Sequence, residues 1–359
     1  MRSLNEPLSD ARPMSGYEDL RVVSGPRSGA AIAIALHSTA LGPALGGVRM
    51  WHYDSAAQGI ADALRLARAM TYKAAAAGLD LGGGKGVICA LGRERPVGEL
   101  RRRMLLDFGD AVESLEGRYV TAEDVGTSAA DMAVIAERTA HVVGLPTERG
   151  GRGDPSPLTA RGVYAAIGAC LEHCFGNASA SGIRVCVVGV GNVGSRLARM
   201  LASAGAELTI SDIDPRARTL AEELGAAWVD PEKAITADCD VLAPCALGGA
   251  IDAATIERLH CQIVCGSANN VLSDERLAGA LAGSGILFAP DFIANAGGLI
   301  NVYAELHDLD SEVVLRLVDQ IASTVRRILE AADRNGVTPL AAAQEQALER
   351  LQAATVAAA

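Results

Sequence analysis

The sequence predicts an α/β protein of two domains, and three observations carry that prediction. The chain has 359 residues, enough for two cores of ordinary size. Short apolar runs alternate with helical patterns from "IRVCVVGVGNVGSRLARMLASAGAELTISDID" to about Leu287, which indicates a parallel sheet covered on both faces. Ahead of that region, "GLPTERGGRGDPSPLT" is dense in Gly and Pro and marks a domain boundary. The expected division is a first domain over 1–148, a second domain over 149–332, and a C-terminal helix, 333–359, that returns to the first.

Composition narrows the function. Half of the residues are hydrophobic, only 3% are aromatic, and there are 39 glycines, which suits close packing of helices on sheets. A net charge of −11 argues against nucleic-acid and anionic-membrane partners and fits a cytoplasmic enzyme. The longest charge-free run, between Arg27 and Arg49, contains His37, Pro43 and several glycines and is a poor membrane span. The opening "MRSLNEPLSDARPM" has no apolar stretch, so a frayed arm is expected there and no secretion leader. The eight cysteines are then expected to be reduced thiols. Cys170/Cys174 and Cys261/Cys265 lack the spacing of a zinc knuckle, and no metal site is expected.

Along the chain, "GAAIAIALH" reads as a strand, and "LGPALGGVRM" is interrupted by Pro and Gly. A helix begins at Ser55, with Ile60, Leu64, Ala67 and Met70 on one face and Lys73 near its end. A glycine loop, "GGGK", follows and leads into a buried strand, "GVICAL". "VGELRRRMLLDFGDAV" is an amphipathic helix, and "RYVTAEDV" is a strand that ends at Asp124. A further helix is expected from Thr159 to about Cys174, and the last sixty residues read as helical.

"VVGVGNVG" supplies a G-x-G-x-x-G pattern at Gly189, Gly191 and Gly194, with Asn192 and Val193 inside it. An apolar strand precedes it, a helical pattern follows, and a second strand ends at Asp212, which is the context a dinucleotide site requires. The second domain is therefore expected to be a Rossmann dinucleotide-binding domain. Asp212 suits the adenosine ribose, and with Asp214 it would repel a 2′-phosphate, favouring NAD over NADP. Arg216 and Arg218 pull the other way.

Lys73, Lys85 and Asp124 stand out among the ionisable residues of the first half. Each ends an apolar element or adjoins glycine, where folding can desolvate it. Burial lowers a lysine pKa, and a neighbouring carboxylate can shuttle its proton.

At these residues the sequence resembles the glutamate/leucine/phenylalanine/valine dehydrogenases, above all the branch acting on apolar amino acids. The matching stretches are "LGPALGGVRM", "AMTYKAA", "GGGKGVI", "YVTAEDVGTS", "GGRGDPSPLTARGV", "VVGVGNVG", "LAPCALGG", "GSANN" and "APDFIANAGGLINV". The resemblance implies an active-site cleft between the two domains and NAD-dependent oxidative deamination of an L-amino acid to its 2-oxo acid and ammonium. It implies that Lys73, with backbone groups of Gly46 and Gly47, binds the substrate carboxylate, that Lys85 activates water and the 2-oxo group, and that Asp124 exchanges protons. By the same resemblance Thr159, Ala243, Pro244, Cys245, Asn269 and Asn270 line the nicotinamide end of the cofactor. The side-chain pocket maps onto Leu45, Ala122, Leu299 and Val302, all apolar, so a second carboxylate is disfavoured. Leucine, valine or isoleucine is the expected substrate, and phenylalanine or tryptophan, in a biosynthetic pathway, is the alternative. The resemblance also implies that residues 1–148 form the substrate-binding and oligomerisation domain of a homo-oligomer of at least two subunits.

Overall fold

A computed structural model describes residues 16–90 and 95–358. The expected N-terminal arm lies outside them. The chain forms two compact units: residues up to Thr71 with Leu81–Val142, and Tyr72–Asp80 with Val143 onward.

The first unit begins with β1 (Asp19–Ser24), β2 (Ala31–Ser38) and β3 (Ala44–His52), followed by α1 (Ala56–Ala76), whose last turn belongs to the second unit. It continues with β4 (Gly82–Ala90), α2 (Gly98–Glu113), β5 (Tyr119–Glu123) and α3 (Ala129–Ile135). The strands form one sheet in the order β1-β2-β4-β3-β5. β1, β2 and β4 pair antiparallel, whereas β4, β3 and β5 run parallel. Because side chains alternate across a sheet, one face carries Ala33 and Ala35 of β2 with Val87 and Cys89 of β4. Ala63 and Ala67 of α1 pack on this face, with Ile60 and Leu64 at its margin, as the helical spacing predicts.

One expectation is corrected here. The glycines read as a loop before Lys85 are part of β4, a fully buried strand between β2 and β3. A Cβ on Gly83 would fall on the backbone of Thr71 in α1. On the opposite face, a Cβ on Gly84 would come within 2.7 Å of the Tyr119 ring. The glycines are there because a helix and an aromatic ring press on the strand, and a side chain would hold both away.

The second unit contains α4 (Ser156–Phe175), β6 (Arg184–Val188), α5 (Asn192–Ser203), β7 (Glu207–Ser211), α6 (Arg218–Leu224), β8 (Ala227–Trp228) and α7 (Pro231–Ala234). Then follow β9 (Val241–Pro244), α8 (Ala253–Ile256), β10 (Ile263–Val264), α9 (Leu277–Gly283), β11 (Leu287–Phe288) and α10 (Asp291–Ala294). The chain closes with α11 (Gly297–Leu306), α12 (Ser311–Asn335) and α13 (Pro339–Ala358). All strands pair parallel, in the order β11-β10-β9-β6-β7-β8. The order reverses at the β6–β9 junction, which opens a crevice at the carboxyl ends of those strands.

α12 buries Val314, Val318, Ile321, Val325 and Ile328 along one stripe. Its contact with α4 is tight, since a Cβ on Gly162 would lie 2.6 Å from Ile321 Cδ1. The Arg161–Asp319 pair borders that contact. α13 sends Arg350 back to the carboxyl end of α1, where its guanidinium donates to the carbonyls of Ala75 and Leu79 at 3.1 and 2.8 Å and pairs with Asp80 at 2.7 Å. Cationic donors at a helix carboxyl end satisfy carbonyls that have no partner in the next turn.

Candidate active site

Lys85 projects from the face of β4 that α1 covers, and it is 5% exposed. Leu45, Gly47 and Arg49 of β3 and Ala122 of β5 share that face by register. Asp124 follows β5 directly, and its Oδ2 lies 2.8 Å from Lys85 Nζ. Two of the three residues singled out by sequence thus form an ion pair, with Lys85 buried and Asp124 half-buried. Thr127 holds the turn after β5: its hydroxyl accepts from the Asp124 N–H at 2.9 Å and donates to the Val48 carbonyl at 2.9 Å.

Sequence reasoning missed the rest of this cluster. Arg49 Nε donates to the same Asp124 oxygen at 3.0 Å, and its Nη1 donates to Asp62 Oδ2 at 2.9 Å. Tyr53 donates its hydroxyl to Asp62 Oδ2 at 2.7 Å, and Arg65 donates to Asp62 Oδ1 at 2.7 Å. Arg49 lies inside the quoted "LGPALGGVRM", and that was its only signal. Charge partners on separate elements leave no local spacing pattern.

Burial pushes the Lys85 ammonium below the ordinary lysine range, and Asp124 opposes this without cancelling it. Burial alone would raise the Asp124 carboxyl, but Lys85 and then Arg49 outweigh it and hold the carboxyl below its usual value. The result is an ionised acid beside an amine that gives up its proton more readily than a surface lysine. Such a pair can pass protons to and from a small polar molecule.

Lys73, in the last turn of α1, donates from Nζ to Asn295 Oδ1 at 2.7 Å. Asn295 is 4% exposed, and its amide donates to Asn269 Oδ1 at 2.7 Å and to the Ser267 carbonyl at 3.2 Å. Asn295 was another residue that sequence reasoning passed over, although it sits in "APDFIANAGGLINV". The carbonyl of Gly46 is taken by the Tyr119 hydroxyl. Gly47 packs so closely on the chain after β5 that a Cβ would lie 2.9 Å from that of Asp124.

In the second unit the glycine motif has the shape a dinucleotide needs. Gly189 has φ +92°, and a Cβ there would strike Ala246. Gly194 is closed in by Gly189 and Cys245, whereas nothing lies within 4 Å of a Cβ on Gly191. Gly191 is the N-cap of α5 and offers no side-chain cap, so Asn192 and Val193 open a helix whose first N–H groups can meet a pyrophosphate. Asp212 Oδ2 accepts from the Val190 N–H at 2.7 Å and its Oδ1 from the Asp214 N–H at 2.9 Å, which fixes the carboxylate beside the glycine turn. These residues fit a nicotinamide dinucleotide.

Ala243 and Pro244 end β9 at the switch point, with Cys245 just beyond. Asn269 and Asn270 follow β10, and Asn270 has a left-handed φ of 52°. Thr159 lies in the first turn of α4, where a Cβ on Gly298 of α11 would come within 3.2 Å of its hydroxyl. Leu299 and Val302 lie three residues apart on one face of α11, and Leu299 is 6% exposed. No helix among the described residues is long and apolar enough to cross a membrane.

Comparison with known proteins shows the family of the chain. The dimerisation-domain model of the Glu/Leu/Phe/Val dehydrogenases matches residues 27–141, and the Glutamate/Leucine/Phenylalanine/Valine dehydrogenase model matches 214–358. Residues 170–249 match the NAD binding domain of the D-isomer specific 2-hydroxyacid dehydrogenases. The chain is 44% identical to leucine dehydrogenase of Bacillus subtilis over 94% of its own length and 92% of the relative's. It is 42% identical to valine dehydrogenase of Streptomyces coelicolor, again over 94% and 92% of the two chains. The crystal structure of L-tryptophan dehydrogenase from Nostoc punctiforme aligns with a TM-score of 0.84 at 38% identity, covering 95% of this chain and 97% of that one. Identity of this level over nearly the whole length shows that the chain belongs to the glutamate/leucine/phenylalanine/valine dehydrogenase family of oxidoreductases.

Proposed function

We propose that the protein catalyses the reversible, NAD-dependent oxidative deamination of a branched-chain L-amino acid to its 2-oxo acid and ammonium. The observation that carries this reading is the contact of buried Lys85 with Asp124, 2.8 Å apart, with Lys85 shifted toward the neutral amine.

In this reading the nicotinamide, when bound, supplies an acceptor for the hydride that leaves Cα of the amino acid. Lys73 pairs with the substrate carboxylate, assisted by backbone groups of Gly46 and Gly47. Loss of the hydride from the substrate in its neutral-amine form leaves it as an iminium ion. Lys85, unprotonated, takes a proton from water as that water adds to the iminium carbon. The proton crosses the short contact to Asp124 and on to the amino nitrogen. The C–N bond then breaks while the hydroxyl proton of the carbinolamine returns to Lys85. Ammonia and the 2-oxo acid are released. Exclusion of water from the hydride step is part of the proposal.

The preference for NAD rests on Asp212 and on the two arginines beside it. Arg216 is committed to Asp214 by paired contacts at 2.9 and 2.6 Å, and Arg218 lies over the Trp228 ring at 5.2 Å with Asp230 beside it. A 2′-phosphate would meet two carboxylates and arginines already engaged. Leu45, Ala122, Leu299 and Val302 are the proposed side-chain determinants. None of them can neutralise a second carboxylate, which favours an apolar amino acid over glutamate. A cytoplasmic homo-oligomer built through the first unit completes the proposal.

A panel of L-amino acids, each run with NAD and with NADP and followed by NADH or NADPH absorbance, tests the reading. Leucine, valine or isoleucine with NAD is expected to give the highest kcat/KM. One methylene in an apolar pocket is worth about 10- to 200-fold between neighbouring substrates, so the ranking is expected to be clear. Phenylalanine or tryptophan ahead of all three would move the substrate to the aromatic class, and NADP ahead of NAD would overturn the role of Asp212.

A further inference from the structure

We propose that Arg49 is a positioning residue for the deamination reaction: tethered by Asp62, it holds Asp124 against Lys85 and sets the pH at which Lys85 loses its proton. This inference rests on the function proposed above, but nothing in that reading involves Arg49.

The geometry is that of a bridge. The guanidinium of Arg49 spans two carboxylates, giving Nε to Asp124 and Nη1 to Asp62 at 3.0 and 2.9 Å. Its side chain is only 21% exposed, so little solvent competes for these bonds. Lys85 and Arg49 reach the same oxygen of Asp124, which places two cations around one acid. The planar fork of an arginine can hold that geometry, and a lysine ammonium cannot hold both partners in the same way. Tyr53 and Arg65 close the far side of Asp62.

The charged groups that act on Lys85 are Asp124 after β5, Arg49 from β3 and Asp62 from α1, and Asp62 is itself held by Tyr53 and Arg65. The signs follow from charge. Arg49 disfavours the ammonium form of Lys85, and Asp62 favours it. Deamination needs the neutral amine, so the rising limb of kcat/KM against pH follows Lys85.

The test is that profile in Arg49→Gln, Arg49→Lys and Asp62→Asn. Removing the arginine charge is expected to move the limb to higher pH by about one unit, and Asp62→Asn to move it the other way. Arg49→Lys keeps the charge, so the limb is expected to stay near its wild-type position while kcat falls about 10-fold from lost alignment. Competitive acetylation of Lys85 against pH, read by mass spectrometry, follows the same ammonium without turnover and is expected to shift with the same signs. An unmoved limb and acetylation midpoint in Arg49→Gln would reduce Arg49 to a packing residue and leave the deamination reading standing. A wild type that turns over no amino acid, with the acetylation shifts intact, would remove the deamination reading and leave the control of Lys85 by Arg49.

Discussion

Replacing Lys85 with alanine is expected to lower kcat about 1,000-fold or more while leaving NAD affinity nearly unchanged. The size of the effect comes from the two tasks proposed for one amine, polarising the 2-oxo group and taking the proton from water. Cofactor affinity is expected to be insulated because the residues proposed to hold the dinucleotide, Gly189, Gly191 and Asp212, belong to the other unit. The variant is also expected to fold. Removing one member of a buried ion pair is costly when it strands the other charge. Here Asp124 keeps Arg49 at 3.0 Å, so its charge retains a partner. Steady-state kinetics of NADH formation and a fluorescence titration with NAD check both halves. A kcat within a few-fold of wild type would take Lys85 out of the mechanism.

Gly83→Ala is the second large effect, on stability. The added methyl group would collide with the backbone N–H, the Cα and the hydroxyl of Thr71 in α1. β4 is hydrogen-bonded to β2 on one side and β3 on the other, so neither partner can step back alone. Overpacking usually costs about 1–3 kcal/mol, and a clash against backbone belongs at the upper end of that range or above it. Gly279→Ala is the matched control. It lies within α9, with nothing within 4 Å of its Cβ position, and alanine there is expected to stabilise by about 1 kcal/mol. Thermal unfolding of the two variants checks the contrast. Equal melting temperatures would mean that α1 does not press on β4 in solution.

How much was legible in the sequence follows from how local each signal is. α1 was readable because Ile60, Leu64 and Ala67 repeat at helical spacing, and the packing of Ala63 and Ala67 uses that stripe. The nucleotide motif was readable because strand, glycine turn and helix are consecutive, and they fold as β6, the turn at Gly189 and α5. The glycines ahead of Lys85 misled because a run without side chains has no period. Only pairing with β2 and β3, far away in the chain, makes it a strand. The link from Lys73 through Asn295 to Asn269 was hidden for a similar reason, since Lys73 and Asn295 are 222 residues apart. The Arg49 bridge was hidden too, because its two carboxylates come from α1 and from the turn after β5. The last turn of α1, which carries Lys73, folds with the second unit although it lies between two segments of the first in the chain.

The claim on which the rest depends is that Lys85 and Asp124 act as one proton-exchanging pair. Asp124→Asn preserves the shape of the side chain and removes its charge, so the rate at which 2-oxo acid is formed in a single turnover with saturating branched-chain amino acid tests it directly. The account predicts a rate at least about 100-fold below wild type with NAD still bound. A rate within about five-fold of wild type would contradict it, because general acid–base catalysis of this kind does not survive loss of the carboxylate at so small a cost.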